Sequence, residues 1–174
     1  MDWYALFVKA GKEDYVQEWI RLYFDRNEVI PLIPQRRLEE RKSGEVKDVY
    51  RKMFPGYIFI HTTMNTKIYY NLKKIPELIR ILNTGENCTK IANEEMVFIL
   101  RLLNEEGIVD FSKVFFYNSK VIVKNGPLKG IEGLILAVNR RKKRVTIRLD
   151  FMGMPRKLDI GIEVLPLHVQ EWFL

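Results

Sequence analysis

The sequence predicts an α+β chain: an N-terminal α/β sandwich, built as an antiparallel sheet flanked by helices, followed by a small five-stranded β-barrel. Three observations lead there. Apolar runs of strand length alternate with stretches of helical period over residues 1–106. Short apolar segments then crowd residues 121–165, separated by Gly, Pro and Asn turns. Charge is also unevenly placed: residues 118–174 hold 11 Lys+Arg against 5 Asp+Glu, whereas residues 1–117 hold 18 against 17, so +6 and +1 make up the chain's +7.

The elements follow in order. Trp3 to Val8 is an aromatic, apolar run that stops at Lys9-Ala10-Gly11-Lys12, which predicts a buried strand ending in a turn. In Glu13 to Asp25, Tyr15, Val16, Trp19, Ile20 and Tyr23 recur at three- and four-residue spacing, with Glu13, Asp14, Glu18 and Arg21 opposite, as in an amphipathic helix. Val29 to Leu38 holds Pro31 and Pro34, so it is expected as an edge strand or extended segment, because proline cannot donate to a central ladder. Ser43-Gly44 marks a hairpin tip, and Val46 to Met53 is the return strand. Phe54-Pro55-Gly56 breaks it before the central run Tyr57-Ile58-Phe59-Ile60. Asn65 or Thr66 can cap a helix running through Leu72, Leu78 to Leu82 resembles a strand, and Asn93-Glu94-Glu95 opens a helix through Leu103. Residues 107–117 show no sustained period and are expected to be a linker. The five barrel strands are expected at Val121–Lys124, Leu134–Asn139, Arg144–Leu149, Arg156–Ile160 and Glu163–Leu165.

With 174 residues, 47% of them hydrophobic, the chain can form two small domains, each with its own core. Cys88 is the single cysteine and His61 and His168 the two histidines, so neither a disulfide frame nor a four-ligand zinc site can be built. No cofactor motif or catalytic constellation is present, so an enzyme is not expected. The N-terminus lacks a basic segment followed by an apolar one, and no apolar run approaches membrane length, which predicts a cytoplasmic protein without a membrane partner.

The basic residues point to a polyanion. Residues 139–148 carry Arg140, Arg141, Lys142, Lys143, Arg144 and Arg148 with no acid among them, a density of repulsion that solubility alone does not explain. They lie in a strand pattern, whereas a membrane-surface reader more often shows a basic amphipathic helix, so nucleic acid leads. Alternation along Arg144–Asp150 puts Arg144, Thr146 and Arg148 on one outward face, where a planar guanidinium can fork onto a phosphate or stack on an unpaired base. Lys120, Lys124, Lys129 and Arg156 complete the expected RNA-binding set. Gly126, Gly130 and Gly133 are explained by sharp turns. The second constellation is aromatic: Trp3, Tyr4, Phe54, Pro55 and Tyr57 sit at a strand start and around a turn. They are either core or a patch for a protein partner.

Taken together, Trp3-Tyr4-Ala5-Leu6, a helix, Phe54-Pro55-Gly56-Tyr57-Ile58-Phe59-Ile60, and Val123-Lys124-Asn125-Gly126-Pro127-Leu128 with Gly133 resemble the NusG family of transcription elongation factors nearly end to end. The resemblance implies an NGN domain over residues 1–106, a linker over 107–117 and a KOW domain over 118–174. It further implies that the first binds the clamp helices of RNA polymerase through an aromatic pocket to which Trp3, Phe54 and Tyr57 correspond. Non-template DNA in the elongation complex is an additional implied partner, and a monomer is expected. In housekeeping members, apolar loop residues of the KOW barrel recruit Rho or a ribosomal protein. The corresponding residues here are Ile131, Phe151 and Met152, while Met154 replaces a family arginine. The cationic run Arg140–Arg144 is more similar to the LoaP subfamily of specialised paralogues, which implies antitermination at selected operons through a structured leader RNA. The alternatives are a housekeeping NusG-type factor coupling polymerase to Rho or the ribosome, and a ribosome-associated protein with an unrelated first domain.

Overall fold

The computed structural model describes residues 1–84 and 87–167. The chain divides into two compact units: Met1–Pro34 with Lys52–Leu100, and Gln35–Arg51 with Arg101–Leu174. In chain order the elements are β1 (Asp2–Val8), α1 (Glu13–Tyr23), β2 (Val29–Leu32), β3 (Gln35–Lys42), β4 (Glu45–Lys52), β5 (Tyr57–Thr62), α2 (Thr66–Lys73), β6 (Leu78–Ile81), the short pair β7 (Asn83–Thr84) and β8 (Asn87–Cys88), and α3 (Asn93–Leu102). They continue with β9 (Ile108–Val109), β10 (Ser112–Tyr117), β11 (Lys120–Asn125), β12 (Ile135–Asn139), β13 (Arg144–Phe151) and β14 (Met154–Val164).

The first unit holds a four-stranded antiparallel sheet in the order β2-β5-β1-β6. The continuously apolar runs β1 and β5 are central, and β2, which carries Pro31, is at the edge where a missing N–H does no harm. Strand alternation turns Tyr4, Leu6 and Val8 of β1 and Ile58 and Ile60 of β5 to one face. They form one buried cluster there with Val16 and Ile20 of α1 and Ile68 and Leu72 of α2. Asn65 is the cap of α2: its Oδ1 accepts the Ile68 N–H at 2.9 Å.

Two details of α1 depart from expectation. Val16 and Ile20 are buried, but Tyr15 and Tyr23 are exposed, so the packing stripe is narrower than the apolar periodicity suggests. The aromatic side chains instead form a ladder along the helix, with Trp19 stacked on Tyr23 at 5.0 Å between centroids and Tyr15 edge-on to Trp19. Glu13, expected on the solvent side, is buried at 2% exposure. Its carboxylate accepts the Gly56 N–H at 2.7 Å and has the Lys52 ammonium at 3.9 Å, so a turn distant in sequence draws it inward.

The second unit holds a five-stranded sheet in the order β11-β10-β14-β13-β12 and a three-stranded sheet β4-β3-β9. Here three expectations are corrected. Residues 107–117, expected to be a linker, contain β9 and β10, and β10 pairs antiparallel with β11 and parallel with β14. Ser112 and Val114 alternate inward along β10, but the neighbouring Phe115 and Phe116 hide that period in the sequence. The fifth strand is accordingly Ser112–Tyr117, while Glu163 and Val164 of the expected last strand are the end of the long β14 and Leu165 lies just beyond it. Gly161 lies within β14, and a Cβ there would be 2.7 Å from the Arg37 carbonyl oxygen and 2.5 Å from the Phe111 ring. It marks a close approach of chain to chain within a strand, not a turn. Finally, the Val29–Leu38 segment divides at Pro34, with β2 in the first unit and β3 in the second. The tip joining β3 to β4 is Ser43-Gly44, both with positive φ (52° and 82°), as a two-residue hairpin turn requires.

Candidate nucleic-acid and protein interfaces

β13 alternates as expected: Val145, Ile147 and Leu149 are buried, and Arg144, Thr146 and Arg148 take the other face. The turn before it is ordered by Asn139, whose Oδ1 accepts the Lys142 N–H at 2.9 Å, and by Lys143 at φ 50°. Arg140 is pinned with its guanidinium 4.0 Å from the Phe116 ring centroid, while Arg140, Arg141, Lys142 and Lys143 are all exposed.

The surroundings of that face are not those of an acid-free patch. The Lys143 ammonium lies 2.9 Å from Glu39 Oε1. Arg144 Nη2 lies 3.4 Å from both Glu40 Oε1 and the Glu39 carbonyl oxygen, and its side chain is only 18% exposed. Thr146 Oγ1 donates to Asp159 Oδ1 at 2.7 Å, and Arg148, still exposed, reaches Asp150 at 3.4 Å. The glutamates come from β3, some 104 residues earlier in the chain, so no local pattern could have revealed them. Glu40 is itself held by Arg51 at 2.8 Å, and that hydrogen bond, with the positive charges of Arg51 and Arg144, keeps its carboxyl below the usual range.

Sequence reasoning also missed two arginines of β3. Arg36 Nη1 donates to the Asp159 carbonyl at 2.7 Å, and burial lowers the pKa of its guanidinium. Arg37 pairs with Asp48 and, at 3.0 Å, with Asp110, and lies 4.6 Å from the Phe111 ring centroid. Of the remaining expected cations, Lys120, Lys124 and Lys129 are exposed, Lys129 donating to the Val123 carbonyl, and Arg156 is half-buried.

In the first unit, Trp3, Phe7, Tyr57, Phe59 and His61 belong to the sheet face opposite the helix-packed cluster, as their alternation along β1 and β5 dictates. Trp3 stacks on His61 at 4.6 Å and 15°, Phe7 meets Tyr57 at 5.4 Å, and Phe54 meets Phe59 at 5.3 Å. Of the five expected polymerase-contact residues, Trp3 and Tyr57 are half-buried, Pro55 is exposed, Phe54 is buried, and Tyr4 is buried within the helix-packed cluster. Gly56, at φ 83°, allows the turn that sets Phe54 and Tyr57 on either side of it. In the second unit, Ile131 and Phe151 are buried and Met152 is half-buried.

Cys88 is half-buried, and desolvation raises the pKa of its thiol. His168 lies outside the described residues. Among the described residues no group of three His, Cys, Asp or Glu is placed to hold a metal, and no helix is long and apolar enough to cross a membrane.

Residues 1–100 match the family model described as "Transcription termination factor nusG". The transcription termination/antitermination protein NusG of Helicobacter pylori is 22% identical over 167 residues, covering 92% of this chain and 94% of that protein. Its counterpart from Buchnera aphidicola is 25% identical over 168 residues, covering 91% and 93%. A solved structure from work on domain interaction in Thermotoga maritima NusG shares the fold, with a TM-score of 0.59 at 22% identity over 92% of this chain and 93% of that one. With a mixed α/β architecture and a family match over more than half its length, the chain belongs to the NusG family of transcription factors.

Proposed function

We propose that this chain is an antitermination factor whose first unit holds RNA polymerase through the Trp3–Tyr57 face, while its second unit docks a structured leader RNA on the basic strand. The observation that carries this reading is the turn Arg140–Lys143: four consecutive exposed cations, with Arg140 fixed over Phe116. A cation held rigid loses less side-chain entropy on meeting a phosphate than one that must be ordered at that moment. Phosphate contacts supply affinity, and Arg148, exposed on the same face of β13 as Arg144, supplies shape or base selection in an RNA loop. Two modest contacts, one to polymerase and one to its own transcript, add through effective concentration, so neither has to be tight.

In this reading the apolar recruitment of Rho or the ribosome is not the main activity, because Ile131 and Phe151 are spent on the core. A general NusG-type factor remains the second reading, favoured by alignment of the relatives over more than nine-tenths of the chain. The experiment is transcription with purified polymerase and this chain on templates with and without the upstream leader, beside RNA gel shifts and polymerase capture. Arg140→Ala/Arg141→Ala/Arg148→Ala should lose at least about tenfold in RNA affinity and abolish leader-dependent read-through, with polymerase capture unchanged. Read-through that ignores the leader supports the general factor; equal loss of RNA and polymerase binding overturns the division of labour.

A further inference from the structure

Arg144 opens the basic strand β13, directly after the turn Arg140–Lys143, yet its side chain is only 18% exposed and largely closed to a ligand. What closes it is β3 of the Gln35–Arg51 hairpin. We infer that this strand is a displaceable cover: Glu39 and Glu40 hold Lys143 and Arg144 where phosphates would, and a structured RNA binds the full basic strand by replacing them. The inference rests on the RNA reading given above and adds its regulation.

The chemistry of the cover matches that of the ligand. A carboxylate and a phosphate present similar paired oxygens to a guanidinium or an ammonium, so Glu39 on Lys143 at 2.9 Å occupies a phosphate position. The fit at Arg144 is poor, however. Both contacts of Nη2 are 3.4 Å, and Nε is buried without an acceptor. A phosphate gripped by the guanidinium fork would make two bonds of about 2.8 Å, so exchange of glutamate for phosphate improves what Arg144 receives. Glu40 also keeps a partner when it leaves, because Arg51 on the adjacent strand β4 already binds it at 2.8 Å.

The seat of the cover is built into β14. Arg36 Nη1 reaches the Asp159 carbonyl at 2.7 Å, and the Arg37 backbone passes Gly161 so closely that a Cβ would sit 2.7 Å from its oxygen. Docking thus depends on a position without a side chain. Such a cover lowers the observed RNA affinity by the fraction of molecules in which it is lifted, which suppresses weak, unspecific RNAs.

The test uses the full chain and a fluorescein-labelled RNA stem-loop with an unpaired apical loop. Glu39→Gln/Glu40→Gln should bind it about fivefold more tightly, since each exposed ion pair contributes only modestly. Removing two charges anywhere favours RNA, so Glu105→Gln/Glu106→Gln, both exposed in the same unit, is the control and should change affinity less than about twofold. Gly161→Ala, at constant charge, crowds the Arg37 carbonyl oxygen of the cover as well as the Phe111 ring and should tighten binding by loosening β3; where it fails to fold, the glutamine pair decides. Zero-length carbodiimide should crosslink Glu39 to Lys143 in the free chain, and saturating RNA should suppress that product in mass spectra. Affinity no better than the control's, or a crosslink unaffected by bound RNA, overturns the cover. Failure of every variant to bind RNA, the glutamine pair included, overturns the RNA reading itself.

Discussion

Phe54 and Tyr57 flank the same Pro55-Gly56 turn and look equivalent in the sequence, but they do different things. Phe54 is 2% exposed and packs on Phe59, so its ring is core; Tyr57 is half-buried against Phe7 at the rim. Phe54→Ala should therefore cost about 3–5 kcal/mol through lost burial and a residual cavity, visible as a large drop in Tm by circular dichroism. Tyr57→Ala should cost about 1 kcal/mol, leave the melt cooperative, and still impair capture of RNA polymerase. Weak polymerase binding by Phe54→Ala alone, with Tyr57→Ala binding normally, would place the contact elsewhere. Glu13 teaches the same lesson in reverse: a first-turn glutamate that periodicity assigns to solvent is buried because the Gly56 N–H requires an acceptor.

The elements that were legible are those whose burial is local in origin. β1, β5, α1 and α2 announce themselves through continuous apolar runs, helical spacing and the Asn65 cap. β10 did not, because only two of its residues face fully inward and the consecutive half-buried Phe115 and Phe116 blur the alternation. The β3–β4 hairpin was legible as a hairpin but not in its attachment, which Arg36, Glu39 and Glu40 make to residues more than 100 positions away. That attachment should respond to acid in a definite direction. Glu40's pKa lies below its ordinary value of 4.5, so its contribution is fully present above that value and is lost as pH falls through the lower, native one. Thermal melts of the wild type and Glu40→Gln should differ at neutral pH and draw together as pH falls below 4.5. A gap that persists unchanged however far the pH is taken below 4.5 would assign the stabilisation to something other than the carboxylate.

Across the molecule, the uneven charge is a statement about partners. The +6 of residues 118–174 sits beside a nearly neutral first part, and a field of that kind draws phosphate and weakens with salt. RNA affinity plotted as log K against log salt should fall linearly, and Arg140→Ala/Arg141→Ala should reduce the magnitude of the slope by about 2, one for each phosphate contact removed. An unchanged slope would remove the turn from the phosphate interface. The mixed α/β class, the main helices and central strands, the aromatic turn and the basic C-terminal part were all legible without coordinates, because periodicity, turn chemistry and composition act over neighbouring residues. Which cations are open and which are held was decided only by tertiary structure. Long-range packing brought Glu39 to Lys143 and Glu40 to Arg144, and the availability of a charge depends on the nearest opposite charge in space rather than along the chain.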